Sequence, residues 1–307
     1  MRILITPRSF GKNNPELFDR LTEKGLTLLR NDTGGILSEE AMIERIKDCS
    51  GVILGVDPMN ANVLAHAPNL KAIAKYGVGT DNIDLTECAR RNIAVSKTIG
   101  ANSNAVADYA FTLMLCVARK ALLIDSHCRK KDWGKITSID IYGKTLGIVG
   151  LGNVGKCVAK RAQGFSMSIL AYDVYKDEAW AEEHGVRFTD LDTLCKESDV
   201  ITLHAALTPE NHHMINATRL SAMKKNAILV NTARGDLIDE EALLQALQNG
   251  TIYGAGLDVF SAEPPVDPSW YELTNLVMGS HCSSSTLGAT ATMGSMAVDN
   301  LLRDLGL

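Results

Sequence analysis

The chain has 307 residues, 46% of them apolar and 22% charged, with a formal net charge of −5. That length suits about two domains of roughly 150 residues each, and the mild acidity points away from nucleic acid and from an anionic membrane surface. No apolar run approaches the roughly 18–20 residues of a membrane span, and the short run in "MRILITPRSF" is too brief for a signal peptide, so a cytoplasmic protein with no membrane partner is expected.

The elements follow in chain order. "RILIT", "GVILG" and "LKAIAK" are short apolar runs without alternation, and these three strands are expected before residue 80. A long helical pattern, "NSNAVADYAFTLMLCVARKALLIDSHCRK", covers 102–130, with Asn102 or Ser103 suited to cap it. Six further strand-like runs come after it: "TLGIVG", "SILAYD", "DVITLH", "AILVN", "GAGLDVF" and "NLVMG". Continuous apolar strands alternating with helices indicate parallel sheets covered on both faces, an α/β fold. The tail "LGATATMGSMAVDNLLRDLGL" reads as a helix, and the pattern alone leaves open which domain it joins. The seven cysteines are scattered, with no CxxC spacing, so neither a disulfide framework nor a zinc site is expected. No metal is expected in the chemistry.

Gly150, Gly152 and Gly155 form G-x-G-x-x-G between the strand "TLGIVG" and a helix-forming stretch. The next strand ends on Asp173. The first glycine permits a tight turn, the second lets a pyrophosphate approach the backbone, and the third lets helix and strand pack closely. Free N–H groups at the helix start hold phosphates. Asp173 suits the ribose hydroxyls and repels a 2′-phosphate, so NAD is expected rather than NADP.

Three polar residues follow expected strand ends, where ligands bind in open α/β sheets. They are Arg234 in "NTARGD", Glu263 in "SAEPP" and His281 in "SHCSS". Together after a dinucleotide fingerprint they supply what carbonyl reduction needs. A His donates the proton that quenches the developing oxyanion. A carboxylate beside it favours its charged form. An Arg fork holds the substrate carboxylate.

These residues resemble the D-isomer-specific 2-hydroxyacid dehydrogenase family, and within it the D-3-phosphoglycerate dehydrogenase-like members. "KYGVGTDNIDL" (75–85), "LSAMKKNAILVNTARGDLIDEEALLQAL" (220–247) and "GAGLDVFSAEP" (254–264) carry the likeness. The resemblance implies two doubly wound, Rossmann-like domains. An NAD domain at 99–284 is inserted into a substrate domain made of 1–98 and 285–307. It implies a homodimer through the NAD domains, with the helix near 102–130 in the interface. It assigns substrate binding to Arg234, the acid partner to Glu263 and the proton transfer to His281. Backbone groups of Val78 and Gly79 are expected to hold the substrate carboxylate. Asn153, Val154, Ala205, Thr232, Ala233 and Asp258 are expected to line the cofactor with Gly150, Gly152, Gly155 and Asp173. Departures are Ser283 and Ser284 where the family has glycines, Ala206 where it often has proline, and "GVDPMN" without the usual arginine.

The expected reaction interconverts a D-2-hydroxy acid and its 2-keto acid. Substrates range from 3-phosphoglycerate to glyoxylate, hydroxypyruvate or a lactate-like acid. A reading of another class is an NAD-sensing, corepressor-like binding protein. For a phosphorylated substrate, Arg8 and Lys75, both near strand ends, are expected to meet the second anionic group.

Overall fold

A computed structural model describes residues 1–307. The chain divides into two compact units, Met1–Asn102 with Ser285–Leu307, and Ser103–Ser284.

The first unit holds five parallel strands: β1 (Arg2–Ile5), β2 (Thr27–Arg30), β3 (Cys49–Leu54), β4 (Ala72–Lys75) and β5 (Ala94–Lys97). Their order is β2-β1-β3-β4-β5. The helix Leu287–Leu305 belongs to this unit, which answers the question the tail left open. It buries Ala297, Val298 and Leu301 with Ile3, Ile53 and Leu21. Each large aliphatic side chain so enclosed contributes about 1.5–3 kcal/mol. Thr286 caps the helix by accepting from the Ala289 N–H at 3.1 Å.

The second unit holds seven parallel strands: β6 (Thr145–Val149), β7 (Ser168–Tyr172), β8 (Val186–Phe188), β9 (Val200–Leu203), β10 (Ile228–Asn231), β11 (Gly254–Leu257) and β12 (Leu276–Met278). Their order is β12-β11-β10-β9-β6-β7-β8. Both faces are covered, which is why the strands read as unbroken apolar runs. Leu146, Ile148, Ile228 and Val230 pack on one side with Leu113 and Met114 of the helix Ser103–Arg119. Val149, Ile201, Leu203 and Leu229 pack on the other with Leu194, Leu220 and Leu243. The strand order reverses between β6 and β9, so a crevice opens at the carboxyl ends of these strands.

Two expectations are corrected. The single helix over 102–130 is two helices, Ser103–Arg119 and Ala121–Arg129. The break is Lys120, whose φ of 50° is left-handed and cannot continue a right-handed helix. Three strands went unread, β2, β5 and β8, and each lies at the edge of its sheet. Their faces are mostly exposed or half-buried, so they lack the continuous apolar signature.

Candidate active site

The glycine turn joins β6 to the helix Asn153–Gly164. A Cβ placed on Gly155 would lie 2.1 Å from the Gly150 carbonyl oxygen, and one on Gly150 would lie 2.6 Å from the Ala205 nitrogen. Both glycines are therefore required by packing alone. Gly152 is different: nothing stands within 4 Å of its absent side chain. No side chain caps the helix, so its leading N–H groups, at Asn153 and Val154, remain for an anion. Asp173 follows β7, and its carboxylate accepts from the N–H groups of Leu151 at 2.7 Å and Tyr175 at 2.9 Å. The open glycine, the uncapped helix and the oriented acid together fit the pyrophosphate and ribose of a dinucleotide.

The loop after β10 carries Thr232, Ala233 and Arg234. Asn231, wholly buried and missed in the sequence, shapes it. Its side-chain oxygen accepts from the Ala233 N–H at 2.9 Å, and its amide donates to the Arg234 carbonyl at 2.7 Å. Gly235 then lets the loop press against the next one. A Cβ there would lie 2.1 Å from the Phe260 carbonyl carbon. That contact brings Arg234 to the segment holding Glu263. Glu240 ties down the same segment, accepting from the N–H and hydroxyl of Ser261 at 2.6 and 2.7 Å.

His281 follows β12. Its Nδ1 lies 2.9 Å from Oε2 of Glu263. Burial alone raises the Glu263 carboxyl. The His281 hydrogen bond and charge, the Phe260 N–H and the Arg234 charge outweigh burial and hold it below its usual range. His281 has a left-handed φ of 55°. Asp258, with no exposed surface, holds that conformation. Its carbonyl accepts from His281 at 2.8 Å, and its carboxylate accepts from Cys282 and Ser283 at 2.9 Å each. Asp258, expected to line the cofactor, thus supports the loop of His281. Ser283, which replaces a family glycine, is buried there.

His204, at the end of β9 beside Ala205, was also missed. Its Nε2 lies 2.9 Å from the Thr202 hydroxyl, and its Nδ1 lies 3.4 Å from that of Thr232. Desolvation pushes its pKa down to about 3, so the ring is neutral at ordinary pH.

In the first unit, Val78 and Gly79 sit in the loop after β4, and their N–H groups have no acceptor in the protein. Gly77 begins the loop at φ 139° and pairs with Thr98. Lys75, expected near the second anionic group, is held inside the protein. It is only 4% exposed, and its Nζ donates to the side-chain oxygen of Asn82 at 2.8 Å and to the Gly55 carbonyl. The cation ties the loop after β4 to the chain leaving β3. Arg8 is exposed after β1.

A dinucleotide-shaped turn beside an Arg, a Glu and a His at neighbouring strand ends defines a nicotinamide-dependent oxidoreductase. Residues 111–283 match the NAD binding domain of the D-isomer specific 2-hydroxyacid dehydrogenases. A glyoxylate reductase of Korarchaeum cryptofilum is 42% identical over 273 residues, 86% of this chain and 82% of that protein. The crystal structure of the TT0316 protein of Thermus thermophilus superposes with a TM-score of 0.91 at 38% identity, covering 100% of this chain and 97% of that one. D-lactate dehydrogenase of Aquifex aeolicus, solved with NAD and lactic acid, gives 0.84 at 29%, covering 97% and 93%. The chain belongs to the D-isomer specific 2-hydroxyacid dehydrogenase family, and its cofactor is NAD.

Proposed function

We propose that the protein reduces glyoxylate, or a 2-keto acid of similar size such as hydroxypyruvate, and oxidises the corresponding 2-hydroxy acid in reverse. The observation that carries the reading is the 2.9 Å pair of His281 and Glu263. NAD, when bound, accepts or supplies the hydride. With Nδ1 engaged by Glu263, His281 has Nε2 left to exchange the proton with the substrate oxygen. Glu263 fixes the orientation of the imidazole through Nδ1. Arg234 receives the substrate carboxylate and polarises its carbonyl. In the first unit, the main-chain N–H groups of Val78 and Gly79 suit a carboxylate.

A small substrate is supported by three observations. The 42% identical relative is named a glyoxylate reductase. "GVDPMN" brings no arginine. Of the two cations expected to meet a phosphate, Lys75 is buried and engaged. The phosphoglycerate reading therefore rests on Arg8 alone. We also read the protein as a cytoplasmic homodimer. No helix is long and apolar enough to cross a membrane, and all seven cysteines are free thiols, which suits a reducing compartment. The helix Ala121–Arg129 buries none of its residues, with Leu122 57% and nearby Trp133 80% exposed. Self-association would cover that surface.

The test is steady-state turnover with NADH and a panel of glyoxylate, hydroxypyruvate, pyruvate and phosphohydroxypyruvate. Glyoxylate or hydroxypyruvate should give the highest kcat/KM. A preference for phosphohydroxypyruvate restores the phosphoglycerate reading. NADH binding without any turnover favours the NAD-sensing one.

A further inference from the structure

Outside the site just described, His212, His213 and Asp236 bring their ligand atoms within 4.8 Å of one another. We propose that these three side chains bind a divalent transition-metal ion of the zinc, cobalt, nickel or copper class.

The cluster is assembled by the backbone rather than by chance contact of long side chains. Ile215 and Ile238 form a parallel bridge between the two segments. The His213 N–H donates to the Asp236 carbonyl at 2.8 Å, the Ile215 N–H to Leu237 at 3.0 Å, and the Asp239 N–H to Ile215 at 2.9 Å. Adjacent side chains on extended backbone point to opposite faces. Here His213 adopts a left-handed φ of 52°, and the two rings stack with centroids 3.8 Å apart at 24°. The left-handed turn thus brings both rings to the same side, beside Asp236.

The donor atoms are uncommitted. Neither imidazole has a hydrogen-bond partner, and the Asp236 carboxylate accepts none; only main-chain atoms of His213 and Asp236 are engaged. Both histidines are exposed and Asp236 is half-buried, so an ion reaches the site directly from solvent. Two imidazole nitrogens and one carboxylate make a mixed nitrogen and oxygen donor set. That set suits borderline metals and disfavours Mg2+ and Ca2+, which require oxygen ligands. Three protein ligands leave the remaining positions to water. Asp236 lies in the short turn Gly235–Leu237, directly after Arg234 and Gly235, so the ion would anchor that turn.

The test uses the full-length protein freed of metal with EDTA, titrated with CoCl2, and followed by calorimetry and absorption spectroscopy. The wild type should take up one ion per chain with a spectrum free of thiolate charge-transfer bands. His212→Ala and His213→Gly should each weaken binding at least about tenfold. The glycine accepts the left-handed φ, and metal-free melting curves establish that both variants fold. Binding unchanged in both variants, thiolate bands that place the ion on the cysteines, or no saturable binding below about 1 mM each overturn the proposal. None of these readouts depends on turnover.

Discussion

The main-chain N–H of His281 donates to the carbonyl of Asp258 at 2.8 Å, and the next two N–H groups donate to the Asp258 carboxylate. One buried residue therefore takes three successive donors and holds the histidine's left-handed backbone. Asp258→Ala leaves two N–H groups without acceptors, at about 1–3 kcal/mol each. Cofactor-free protein should melt several degrees lower, and kcat should fall at least about tenfold. A variant with wild-type melting would show that the loop keeps its shape without Asp258.

Glu263 acts on the same histidine through the side chain. In Glu263→Gln the partner of His281 Nδ1 loses its charge, and kcat should fall at least about tenfold in both directions. His281→Ala should lose about 10²–10⁴ in rate with NAD affinity nearly unchanged. The Glu263 carboxyl is held below its usual range. Its stabilising contribution is thus present above about pH 4.5 and lost as pH falls through the lowered pKa. A wild-type kcat in Glu263→Gln would remove the pairing from the mechanism.

Gly152 and Gly155 separate ligand space from packing. A side chain at Gly155 meets the Gly150 carbonyl, whereas one at Gly152 meets nothing within 4 Å. Gly155→Ala should destabilise the protein, because the Gly150 main chain cannot swing aside. Gly152→Ala should melt like wild type yet raise the KM for NADH at least about tenfold, since the methyl group enters pyrophosphate space. Unchanged KM in Gly152→Ala would mean that the phosphates lie elsewhere.

Asp173 is oriented by Leu151 and Tyr175. The wild type should favour NAD over NADP by at least about tenfold in kcat/KM, about 1.4 kcal/mol. Asp173→Ser should narrow the ratio. Equal use of both cofactors by the wild type would take Asp173 out of the selection.

His204 gives a stability signature at mild acid. Its folded pKa of about 3 lies below the unfolded value near about 6.5. The unfolded chain therefore takes up the proton first as pH drops. Stability from the neutral ring is full above about pH 6.5 and declines toward about pH 3. His204→Gln should flatten the fall in melting temperature between about pH 6.5 and 4. The same fall in both proteins would assign that pH dependence to other groups.

The sequence made some of this visible for a physical reason. β6, β9, β10 and β11 are covered on both faces, so their apolar runs are unbroken. β2, β5 and β8 border solvent and carry no such signal. The glycine turn was legible because three glycines are forced by backbone contacts and phosphate space at fixed spacing. Arg234, Glu263 and His281 were legible through their strand-end positions and their motifs. Asn231, Glu240 and His204 were not, because their work is local bonding that appears only once distant loops meet. Lys75 shows the complementary case: a charge at a strand end reads as exposed, and only the fold reveals Asn82 and Gly55 closing over it.

The helix Leu287–Leu305 has a consequence for how the protein is made. It supplies Val298 and Leu301 to the core that begins with Ile3. On the ribosome, residues 1–102 emerge first and wait with that apolar surface open while all of 103–284 is synthesised. The later-made unit has its whole sequence available first and folds as a unit on its own. The earlier one is completed last, so nascent chains stalled before Leu287 should be the ones that recruit chaperones and aggregate.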